Sequence, residues 1–150
     1  MASKSTRNTI AVLSLCHAVG IQLETYYNPR ARNKTGLKIA SRIHEAANRA
    51  LQDWPERLQV RDIVRLHQFV DRFASVHLTG KFGVTAHTST CLALLEPIID
   101  ATTNPEKTEL LGKVYRAVTA AHKYLDRNGE FDGDYEKANA IVEAWEWMEK

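Results

Sequence analysis

The stretch Val60–Leu78, VRDIVRLHQFVDRFASVHL, constrains most what this chain can fold into. Val60, Ile63, Val64, Leu66, Phe69, Val70, Phe73, Ala74, Val76 and Leu78 occupy well over half of a helical circumference at about 3.6 residues per turn. Arg61, Arg65, Gln68, Asp71, Arg72 and Ser75 are left on a narrow polar strip. A helix at the edge of a fold needs an apolar stripe only about 100° wide. So wide an arc predicts a helix with neighbours on most sides, the central helix of the fold, with Phe73 in the core.

The other segments keep the same period. Ile10, Leu13, Leu15, Cys16, Val19 and Leu23 mark a first broadly apolar helix, capped at Thr6 or Asn8 and running to about Glu24. Tyr26–Gly36 reads as a loop around Pro29. Thr35 then caps a helix with the stripe Ala40, Ile43, Ala47, Ala50, Leu51 and Trp54, which Pro55 stops. A helix over 89–101 contains Pro97, which should kink or split it. Asn104-Pro105-Glu106 is a cap, a first-position proline and a first-turn acid, and Asn128-Gly129 closes that helix. The last helix carries Tyr135, Ala138, Ile141, Val142, Trp145 and Met148 on one face. No period-2 strand appears. The expectation is an all-α fold without a sheet: a single compact bundle-like domain of five or six helices over 1–150, with 1–5 frayed.

The 150 residues suffice for a real core without metal or disulfides. Cys16 and Cys91 lie within apolar helical patterns and read as reduced core thiols. Lys4 and Arg7 precede the apolar run 10–21, as in a signal peptide, but no small-x-small site follows and the run is too short to cross a bilayer. The expectation is a cytoplasmic protein with no membrane contact. Net charge is only +2, yet Met1–Arg65 carries +6 and Leu66–Lys150 carries −4, so the two halves should present faces of opposite sign.

Four patterns could carry chemistry. The first is the basic stretch 26–49. Arg30, Arg32, Lys34, Lys38 and Arg42 can meet phosphates or acidic side chains, and Tyr26 and Tyr27 can stack on bases. The second is arginine–histidine spacing. Arg61 with His67, Arg72 with His77, and Arg116 with His122 are separated by four or five residues. This resembles the R-x(4–6)-H signature of the helical HEPN-type ribonucleases, and the resemblance implies metal-independent phosphodiester cleavage by Arg61, His67, Arg72 and His77. On the wheel, however, the two histidines lie on the apolar side and the two arginines on the polar side. The third is His44-Glu-Ala-Ala-Asn48, half of a zinc helix with asparagine where the second histidine belongs. The fourth is Asp126–Asp134, where oxygen-bearing side chains alternate. Phe131 and Lys137 stand where a calcium loop needs glycine and glutamate, so it reads as an acidic turn.

The sequence therefore points to no metal and no cofactor, and to binding or regulation rather than catalysis. The expected partner is a protein or a nucleic acid met by the basic stretch, and a homo-oligomer is compatible with the same surfaces. Trp147, two positions from Trp145 and so about 200° from it around the axis, is expected on the outer side of the last helix as an interface anchor.

Overall fold

The computed structural model describes residues 2–28, 33–79 and 83–149. The fold is all-α: α1 Lys4–Tyr27, α2 Lys34–Asp53, α3 Val60–His77, a 3-10 turn Val84–Ala86 running into α4 His87–Ala101, α5 Pro105–Arg127 and α6 Asp134–Glu149. Among the described residues there is no strand.

Local chemistry sets the helix ends. The Ser3 hydroxyl accepts from the Thr6 amide at 3.1 Å, so α1 begins before Thr6, within the segment expected to fray. Asn33, not Thr35, caps α2 by accepting from the Gly36 amide at 2.9 Å. Asn104 accepts from the Lys107 amide at 3.1 Å, with Pro105 and Glu106 in the first turn as expected. Gly129 closes α5 at φ +65°, a backbone that side-chain-bearing residues rarely adopt. Pro97 lies within α4 without splitting it.

The central helix is α1, not α3. Ala11, Val12, Leu13, Leu15, Cys16, Val19 and Leu23 are all essentially inaccessible. α1 packs against all five other helices. From Asn8 to Leu23 it carries no Asp, Glu, Lys or Arg, so it meets neighbours all round without stranding a charge. α3 buries one side only: Asp62, Leu66, Phe69, Phe73 and His77. Its other apolar side faces solvent, with Val60 78% and Val64 51% exposed. Four exposed side chains, Arg61, Arg65, Asp71 and Arg72, would have to be desolvated to enclose it.

α6 is likewise turned from its expected setting. Ala140, Ala144 and Met148 form its buried face, whereas Tyr135 and Val142 are 76% and 54% exposed. The small alanines let α6 lie close against its neighbours, of which α4 is the most extensive. This rotation brings Trp147 inward.

α1 and α2 form the most extensive helix pair. Gly20 makes it so: a Cβ there would stand 2.8 Å from the His44 backbone nitrogen. Its hydrogen lets the two backbones touch. Cys16 of α1 and Cys91 of α4 meet inside the core, and both are free thiols. No helix among the described residues is long and apolar enough to cross a membrane.

Candidate functional site

The outer face of α2 is the first candidate. Gly36, Ala40, Ile43, Ala47 and Ala50 point to the core, which turns the opposite side of the helix to water. Lys34, Lys38 and Arg42 follow one another on that side at four-residue intervals, all exposed. At about 1.5 Å per residue the row advances about 6 Å per cation. None of the three forms an ion pair among the described residues. Glu45 lies on the same face, and Arg49 beyond it is held by Asp53 at 2.5 Å. Arg30 and Arg32 lie outside the described residues.

The tyrosines expected to stack on bases do not present their rings for it. Tyr27 is 3% exposed and packs edge-on against Tyr124 at 6.1 Å. Tyr26 is half-buried, and its hydroxyl donates to Glu130 at 2.5 Å. Their side chains close the bundle where α1 meets the turn after α5. That turn, the alternating acidic segment, therefore has Glu130 committed to Tyr26. Among the described residues no group of three or more His, Cys, Asp and Glu is placed to hold a metal ion.

The arginine–histidine pairs do not converge. Arg61, His67 and Arg72 are exposed on α3, while His77 is buried on its inner side. Arg72 and His77 point about 140° apart around the axis. His77 donates from Nε2 to Glu143 at 2.7 Å, and its Nδ1 has no partner. His87, fully buried, donates from Nε2 to the His77 carbonyl at 3.1 Å. That bond makes Nδ1 the acceptor for the Thr90 hydroxyl at 3.0 Å. Phe73 lies against both rings. Burial, reinforced by the neighbouring His77, pushes His87 down to about 4. In the third pair Arg116 is exposed, whereas His122 is half-buried and bonds Thr88 at 3.0 Å.

Two groupings were not read from the sequence. His44 of the discarded zinc-like motif bonds Glu24 through Nδ1 at 2.8 Å, and its ring meets His17 edge-on at 4.8 Å. Burial holds His17 below its usual value, and His44 adds to the effect. The second grouping is a groove between α3 and α6. Trp147 is half-buried there, its ring against Phe69 at 4.1 Å, so it is not the outward anchor expected of it. Its i−4 neighbour Glu143 faces the same groove, a spacing legible only once the true inner face of α6 is known.

Comparison with protein-family models, curated proteins and solved structures gives no match for this chain.

Proposed function

We propose that the protein acts by binding rather than by catalysis, and that α2 meets the phosphate backbone of a nucleic acid. The observation that carries this reading is the row Lys34, Lys38 and Arg42: exposed, unpaired and on one helix face. Cations fixed at regular spacing match a polyanion, and each neutralised phosphate releases counterions. The inward commitment of Tyr27 and the Tyr26–Glu130 bond argue for backbone contacts without base stacking, so binding is indifferent to sequence. The +6 balance of Met1–Arg65 adds a long-range field of the same sign. A cytoplasmic setting belongs to the same proposal and is supported by the two cysteines, buried together as free thiols.

The test is fluorescence anisotropy with labelled single- and double-stranded DNA and RNA across a salt series. Three phosphate contacts give a slope of log K against log salt of about −3 on duplex DNA. The triple substitution Lys34→Glu, Lys38→Glu, Arg42→Glu abolishes binding to every sequence alike. Absence of binding at low salt removes the nucleic-acid reading and leaves an acidic protein as the partner to seek.

A further inference from the structure

The groove between α3 and α6 carries opposite charge on its two walls. Arg72 stands on the α3 wall, Glu143 and Glu146 on the α6 wall, and Phe69, Phe73 and Trp147 contribute its aromatic surface. The groove is half-open to solvent, with a volume of about 280 Å³.

Several groups in it are held in place. The Glu143 carboxylate accepts from the buried His77 Nε2 at 2.7 Å, which fixes its orientation from below. Trp147 is braced edge-on by Phe69, and the Arg65 guanidinium lies 5.8 Å from its ring centre. Arg72 and Glu146 share the groove, yet neither forms an ion pair with the other or with any described residue. Their charged atoms stand more than 4.0 Å apart in this structure. A molecule carrying both charges can span that gap.

The geometry points to a binding site for a small zwitterion with a bulky apolar side chain, the class of the free apolar and aromatic α-amino acids. The ligand carboxylate meets the fork of Arg72. Its ammonium meets Glu146 and the free oxygen of Glu143, and its side chain lies on Phe69, Phe73 and Trp147. A ligand with only a negative charge would face two carboxylates, and one with only a positive charge would leave Arg72 unmatched. The walls thus select for both charges together. The groove volume falls just below the range of about 300–1,000 Å³ usual for drug-sized ligands, as suits a molecule of about a dozen heavy atoms. The α2 row contributes no residue to this groove, so the inference stands independently of the nucleic-acid reading.

The experiment titrates the isotope-labelled full chain with L-phenylalanine. Binding is followed by calorimetry and at the Trp147 indole resonance, assigned with Trp147→Phe. The expected Kd is on the order of 0.1–1 mM. Phenylpropionate, which lacks the ammonium, and phenethylamine, which lacks the carboxylate, each bind at least about tenfold more weakly. Arg72→Gln lowers affinity for phenylalanine about tenfold without weakening phenethylamine, and Glu146→Gln lowers it without weakening phenylpropionate. Both positions are exposed, and unchanged thermal melts confirm that the variants fold. An indole resonance that does not move at about 10 mM phenylalanine overturns the proposal, as does equal affinity for the three compounds.

Discussion

His77 holds Glu143 from inside the core: the imidazole is only 5% exposed, and it donates to a carboxylate that is itself half in water. This hydrogen bond ties the last turn of α3 to the middle of α6. Hydrogen bonds to charged groups contribute about 1.5–3 kcal/mol, and loss of the acceptor strands a buried N–H. Glu143→Ala is expected to lower stability by about 2 kcal/mol in urea unfolding with the slope unchanged, while Glu143→Gln loses less. A wild-type midpoint in the alanine variant would show that the bond contributes nothing.

The two sides of α3 should respond very differently to truncation. Phe73 is 4% exposed and packs against Phe69, His77 and His87, so Phe73→Ala should cost about 3–5 kcal/mol. Val64 is half exposed, and Val64→Ser should stay within about 0.5 kcal/mol of wild type. Equal losses in thermal or chemical unfolding would mean that α3 is enclosed on both sides.

The buried His87 gives stability a dependence on pH. Its folded value near 4 lies below the ordinary 6.5. Between those values the unfolded chain binds a proton that the folded chain does not. Stability is therefore full above about pH 6.5 and falls as pH drops toward 4, by about 3 kcal/mol in total. His17, also displaced downward, acts in the same direction. Urea midpoints measured from pH 7.5 to 4.5 should decline along this curve, and His87→Gln should flatten most of it. An unchanged decline in that variant would assign the effect to other groups.

The two cysteines should resist alkylation in the native state. A hydrogen bond with Cys91 and then burial push the Cys16 thiol well above its usual value, and both side chains are inaccessible. The nucleophile is the thiolate, so labelling by iodoacetamide at neutral pH should track global unfolding. Rapid labelling of the folded protein would place at least one thiol at the surface.

The helical class, the element order and the Asn104–Glu106 start were legible because they rest on local rules: period, capping and proline geometry. What failed depends on neighbours. The breadth of an apolar arc says how much a helix could bury, not how much surrounds it. Five charges on α3 and none over 8–23 of α1 were the better guide to which helix sits at the centre. On α6 the choice of face turned on two small residues, Ala140 and Ala144, which have less apolar bulk than the exposed Tyr135 and Val142. Close packing against α4 rewards fit over bulk. On α2 the outward setting of Lys38 and Arg42 was readable from spacing, whereas Lys34 fell in the segment read as a loop and joins the row because Asn33, not Thr35, is the cap. The groove was not, because its walls lie some seventy residues apart in the chain and are brought together by tertiary contacts such as Phe69–Trp147 and His77–Glu143.

The hydrogen at Gly20 reaches further than helix packing. By letting two backbones touch, it mounts α2 rigidly on the most deeply buried segment of the molecule. Lys34, Lys38 and Arg42 thus behave as teeth on a stiff comb whose pitch is set before any partner arrives. Whatever docks there must bring its own charges into that register, and on this side the loss of configurational freedom is confined to the three side chains, the backbone beneath them being already ordered.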